Sequence, residues 1–148
     1  MGVSKLGQWR VLGVAVASLC VVAGASAAAA AGAPSGAPIR IGLLAPLTGS
    51  GGAYGKEEET AAKAAAAHIN AHGGVLGRPL EIVVADDETT PTAGVSAARK
   101  LIDVDGVVAI TGVWSSAVAL AVRPVALEKS VALLPVGSAD ELTEGDNK

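Results

Sequence analysis

Residues 46–56, PLTGSGGAYGK, place glycines and hydroxyls ahead of a lysine and a run of acids, the make-up of a loop that could cradle phosphate. A Walker-type loop needs Gly, four residues, then Gly-Lys-Ser/Thr, because the hydroxyl must reach a magnesium ion. Counting back five from Gly55 gives Ser50, and Glu57 follows Lys56, so both anchor positions fail. A dinucleotide fingerprint begins with Gly49-Ser50-Gly51, and Asp86 ends the second strand where a ribose-binding acid would stand. Its third glycine falls on Tyr54, whose bulk would hold the helix off a pyrophosphate. Glu57, Glu58 and Glu59 suit the positive end of a helix dipole but repel phosphate there. A dinucleotide-binding lobe of an exported enzyme is therefore the alternative, not the leading expectation.

Other residues invite chemistry and give less. His68 and His72 share a helix face, yet no Asp, Glu or Cys completes a metal site, and His72 suits a helix C-terminus. Asp86-Asp87 are expected to cap a strand and stay solvated rather than act as paired acid and base. A Ser/His/Asp hydrolase would need a histidine in a strand-end loop, and neither His occupies one. No catalytic residue, cofactor or metal is expected. Ser115 and Ser116 stand where a helix begins, and such a start offers unpaired N–H groups and partial positive charge to an anion. One of them also suits a plain N-cap role, and Ser138 carries the same ambiguity beside Asp140, Glu141, Leu142 and Thr143.

Composition narrows the partners. Lys5 and Arg10, an apolar run from Val11 to Val22 and the small residues Ala25-Ser26-Ala27 form an export signal, with further Ala-x-Ala options up to Ala33. Leu19 before Cys20 departs from the small residue that a lipid-attachment box wants, so a lipid anchor at Cys20 ranks behind cleavage. An uncleaved anchor is disfavoured because the second half of the segment is Ala and Gly. Cleavage removes the one cysteine, leaving no disulfide and no thiol nucleophile. It also removes two cations, Lys5 and Arg10, moving the net charge from −3 to −5. No Lys/Arg cluster survives to displace counterions, which argues against nucleic acid as a partner. The expected organisation is an export signal over residues 1–33, a Pro/Gly linker over 34–38, and one domain or lobe over 39–148.

These residues need elements to position them. IRIGLLA from Ile39, LEIVVADD from Leu80, VVAITG from Val107 and VALLPVG from Val131 read as strands. Between them lie helices over EEETAAKAAAAHINAHGG, TAGVSAARKLI and SSAVALAVRPVALEK, the last kinked or delayed by Pro124. Gly73-Gly74 is the first helix's stop. Three strand-helix-strand units in series predict an α/β fold, with right-handed crossovers and a parallel sheet covered on both faces. The only aromatics beyond the signal, Tyr54 and Trp114, then fall in loops at the carboxyl ends of strands, where doubly wound sheets bind ligands.

The run IRIGLLAPLTGSGGAYG, the helix ending HINAHGGVLGRPLEIVVADD, then GVWSS and LLPVGSADELT, resembles the amino-terminal part of the type 1 periplasmic solute-binding proteins, in the leucine/isoleucine/valine-binding branch of the ABC importers. The likeness spans residues 39 to 144. It implies the incomplete amino-terminal lobe of a two-lobed clamp for an amino acid, branched-chain foremost, or a related small carboxylate, handed to an ABC permease outside the cytoplasm. Tyr54 would form a pocket wall and Trp114 would lie over the ligand side chain. Ser116, Val136, Gly137 and Ser138 would hold the carboxylate through hydroxyls and main-chain N–H groups. A second lobe would supply the acid for the ligand's ammonium, so the chain is expected to be a fragment or truncated reading frame that binds weakly by itself. A ligand-sensing module of a receptor could use the same lobe.

Overall fold

The computed structural model describes residues 32–143. The export signal expected over residues 1–33 lies almost wholly outside them. The chain forms strand β1 (Ile39–Ala45), helix α1 (Gly52–Ala71), β2 (Leu80–Asp86), α2 (Pro91–Asp103), β3 (Ala109–Gly112), α3 (Ser116–Glu128) and β4 (Ala132–Pro135). Short 3-10 turns at Gly49–Gly51 and Asp140–Leu142 complete it. The four strands make one parallel sheet in the order β2-β1-β3-β4. Among the described residues no helix is long and apolar enough to cross a membrane.

Sheet order fixes where the helices lie. From β1 the chain winds one way to β2, then back across β1 to β3 and on to β4, so right-handed crossovers put α1 on one face and α2 and α3 on the other. Leu44 and Ile110 of the central strands join Ala98 and Leu101 of α2 and Val118 and Val122 of α3 in the fully buried core. Gly94 lets α2 approach closely, since a Cβ there would lie 2.4 Å from Val118 Cγ1. On the opposite face the Ala-rich α1 buries only Gly55 and Ala66. The direction of winding reverses between β1 and β3, and the crevice outside their carboxyl ends is the switch point where open α/β sheets take ligands.

Three expectations need correction. The first helix, expected from Glu57 to Gly74, starts five residues earlier, at Gly52. Tyr54 therefore sits in its first turn and not in a loop. The cause is Gly55: a Cβ there would stand 2.3 Å from Pro46 O, so glycine alone lets the helix begin against its own loop. The third strand starts two residues later than its apolar run, at Ala109, and the fourth occupies Ala132–Pro135 of a run expected over 131–137. Pro124 does not delay α3, which starts at Ser116 and runs through it.

The end of α1 is as expected. Gly73 and Gly74 take positive φ, and Gly74 N–H donates to Ile69 O at 3.0 Å, closing the helix with a left-handed turn. Asn70 then exchanges two hydrogen bonds with the Leu80 backbone, of 2.9 and 2.7 Å, seating the helix end on the start of β2.

Candidate ligand crevice at the carboxyl edge of the sheet

The glycine-rich loop is shaped by its neighbour. Asp86 Oδ1 accepts from the N–H groups of Leu47 (3.0 Å), Thr48 (3.2 Å) and Glu88 (2.8 Å), while Oδ2 accepts from Thr48 Oγ1 at 2.7 Å. Thr89 Oγ1 accepts from Gly51 N–H at 3.1 Å and donates to Thr48 O at 3.0 Å. A Cβ on Gly49 would stand 2.5 Å from Glu88 O. The glycines thus let one loop lie backbone to backbone on another, and the amides of Leu47, Thr48 and Gly51 are already used within the chain. Asp86 is likewise spent on the loop, which removes the ribose acid from the dinucleotide alternative. Partial burial alone would raise the Asp86 carboxyl; the bonds from Thr48 Oγ1 and the three amides outweigh it and hold the group below its ordinary value.

Its neighbour behaves differently. Asp87, expected to be solvated, has no exposed surface, and only its Oδ1 is paired, with Thr89 N–H at 2.8 Å. Burial first, and the charge of Asp86 after it, push its carboxyl above the ordinary value, against the Thr89 bond.

Tyr54 and Trp114 arrive from opposite sides of the switch point and stack, with centroids 4.8 Å apart and planes 12° from parallel. Both remain substantially exposed, at 52% and 39%. The turn that aims Trp114 is strained. Val113 has φ 55°, a left-handed conformation that costs a β-branched residue about 1–3 kcal/mol. It is held there by full burial of its side chain and by its N–H donating to Leu44 O at 2.6 Å.

Beside the stack, Ser116 Oγ accepts from the N–H groups of Ser138 (3.1 Å) and Ala139 (3.2 Å). Gly137 permits this approach, as a Cβ there would be 2.9 Å from Ser116 Oγ. Val136 donates its N–H to Gly112 O at 2.8 Å and leaves its side chain exposed. All six residues singled out in the sequence therefore lie along one edge, in two touching groups joined through residues 114–116. The contacts give them unequal roles: Ser116 ties the β4 loop to α3, and the amides of Val136 and Ser138 are consumed within the chain.

Ser115 carries what Ser116 does not. It is the N-cap of α3 in an extended conformation, its carbonyl accepts from Ala119 N–H at 2.9 Å, and its hydroxyl makes no cap bond. That hydroxyl adjoins the unpaired N–H groups of the first turn of α3, so the edge offers an anion several donors together. The sequence placed both serines at the helix start but could not say which one the fold would spend. The His68 and His72 rings lie 4.3 Å apart and tilted by 41°, with His72 Nδ1 2.8 Å from His68 O, a helix-end contact. Among the described residues no group of three or more His, Cys, Asp or Glu could hold a metal.

Comparison with known proteins agrees with this geometry. The family description for periplasmic binding proteins matches residues 38–148. The chain is 41% identical over 109 residues to the Leu/Ile/Val-binding protein BraC3 of Rhizobium johnstonii, covering 73% of this chain and 29% of that protein. The crystal structure of the branched-chain amino acid transporter substrate binding protein LivJ from Streptococcus pneumoniae, in complex with isoleucine, superposes with TM-score 0.69 at 30% identity, over 72% of this chain and 31% of that one. A solute binding protein of an ABC transporter from Rhodopseudomonas palustris, in complex with 3,4-dihydroxybenzoic acid, does so with TM-score 0.66 at 27% identity, over 72% and 29%. The chain thus spans about three-tenths of the length of these relatives. With the strand order and the match over residues 38–148 in agreement, the chain belongs to the periplasmic binding protein family.

Proposed function

We propose that this chain forms one wall of a non-catalytic binding site, outside the cytoplasm, for a small carboxylate. Amino acids with branched apolar side chains are the leading candidates, and a membrane permease of the ABC type is the recipient. The observation that carries this is the juxtaposition of the Tyr54–Trp114 stack with the free Ser115 hydroxyl and the start of α3. An apolar wall beside a cluster of anion donors fits a molecule with an apolar body and a carboxylate. Isoleucine and 3,4-dihydroxybenzoic acid, held by two of the relatives, share that description while differing in their other groups.

In this assignment the carboxylate docks on Ser115 and the first-turn amides of α3, with Ser116, Gly137 and Ser138 shaping the rim and Val136 flanking it. Residues 1–33 act as the export signal, 34–38 as a linker, and 39–148 as the amino-terminal lobe, whose closure against a second lobe would complete the site. Binding by this lobe alone is expected to be weak, because it encloses only one side of the ligand. The test is titration calorimetry with leucine, isoleucine and valine, on this chain and on a two-lobed relative carrying Ser→Ala at the position of Ser115. Loss of that hydroxyl should weaken binding in the relative by about 1–3 kcal/mol. Submicromolar binding by this chain, or an unchanged affinity in the relative's variant, would sink the assignment.

A further inference from the structure

Two carboxylate oxygens near the crevice, one on Asp87 and one on Glu58, have no part in the contacts described above. Asp87 is fully buried, and its Oδ2 has no hydrogen-bond partner among the described residues. Glu58 Oε2 is also buried and unpartnered. Glu58 stands one turn after Tyr54 on the same side of α1, and its Oε2 lies 3.5 Å from where a Cβ on Gly112 would be. Gly112 ends β3, two residues before Trp114. Asp87 lies against Gly94 of α2, which itself packs on Val118 in the first turn of α3. Glu58 is therefore on the aromatic side of the crevice floor and Asp87 on the side of the α3 start.

A buried carboxylate oxygen without a donor is costly when ionised, and keeping a proton relieves that cost. The charges acting here come from Asp86 in the loop of Asp87 and from Asp87 on Glu58; α2 faces Asp87 with Gly94, which packs on Val118 and Val122 of α3, and none of these three carries a charge. On α1, Lys63 is engaged by Glu59 and not by Glu58. Burial, and then the charge of Asp87, push the Glu58 carboxyl above its ordinary value, in the same direction as Asp87 itself.

We propose that Glu58 and Asp87 form a proton-storing floor beneath the crevice, so that an anion docking at the start of α3 draws protons onto this pair. The inference rests on the anion site described under Proposed function and adds regulation to it. A ligand carboxylate adds negative charge above two groups that already resist ionisation, and linkage requires the converse: ionising the pair must weaken anion binding. Affinity then falls as pH rises, by about tenfold per pH unit for each proton taken up.

The full chain, labelled for carboxyl and amide NMR, tests this with 4-methylpentanoate, the leucine skeleton without its ammonium. The expected result is that the amides of Ser115, Ser116 and Ala117 shift on addition, and that the titration midpoints of Glu58 and Asp87 rise by about 0.5 or more. Shifting amides with unmoved midpoints would overturn the coupling while leaving the anion site standing. Unresponsive amides would remove both. Glu58→Gln and Asp87→Asn should each flatten the fall of affinity with pH. If Asp87→Asn fails to fold, the partly buried Glu58→Gln decides, and an unchanged slope in it overturns the proposal.

Discussion

On the β1 side of the crevice, Asp86 alone takes four hydrogen bonds from the loops around it, and Thr89 and the close approaches of Gly49 and Gly55 fix the rest. On the β4 side the corresponding clamp is one hydroxyl, Ser116 Oγ, with two amides. The β1 rim is flanked by β2 and covered by α1. The β4 rim borders an edge strand, where Leu134 and Val136 are 57% and 62% exposed. A hollow of about 680 Å³ beside it, lined by Arg123, Leu127, Val131, Leu133, Pro135 and Leu142, lies away from the Tyr54–Trp114 stack. One rim is thus built into the lobe's own folding, while the other is an open sheet edge with its backbone groups unpaired on one side.

Breaking the β1 rim should cost most. Gly55→Val forces a side chain into the Pro46 carbonyl and is expected to lower the unfolding free energy by about 3 kcal/mol in urea denaturation. Asp86→Ala strands the Thr48 and Glu88 amides and should cost about 2 kcal/mol, with faster hydrogen exchange at those two positions. On the β4 rim Ser116→Ala should cost only about 1 kcal/mol, and its exchange effect should be confined to Ser138 and Ala139. A larger loss for Ser116→Ala than for Asp86→Ala would invert the comparison.

The smallest effect is in the pH profile. Because folding lowers the Asp86 value, the folded state binds fewer protons than the unfolded chain there, so its contribution is present above the ordinary value of 3.8 and is lost as pH falls through the lower folded value. Asp86→Asn should be less stable than wild type at neutral pH and lose less on acidification through that window. Parallel acid limbs for the two proteins would contradict the clamp.

Much of this arrangement was legible in local sequence. β1 occupies the residues expected of it, from Ile39 to Ala45, because a run that is apolar but for Arg40, bounded by Pro38 and Pro46, leaves little choice. The α1 stop at His72-Gly73-Gly74 follows from glycine's freedom at positive φ. The start of α1 was not legible, because the glycines of residues 49–55 read as loop until Pro46 is seen to occupy the space where side chains would go.

The sequence by itself determined the order of strands and helices, the parallel sheet and the gathering of Tyr54, Trp114 and the serines at one edge, since periodicity and crossover handedness act through near neighbours. Only the tertiary structure decided that Asp86 is a clamp while Asp87 is buried, or that Ser116 is spent while Ser115 stays free. Each pair is chemically identical and adjacent in the chain. What separates its members is the set of groups brought against them from segments some 20 to 40 residues away, and hydrogen bonding and desolvation depend on that set.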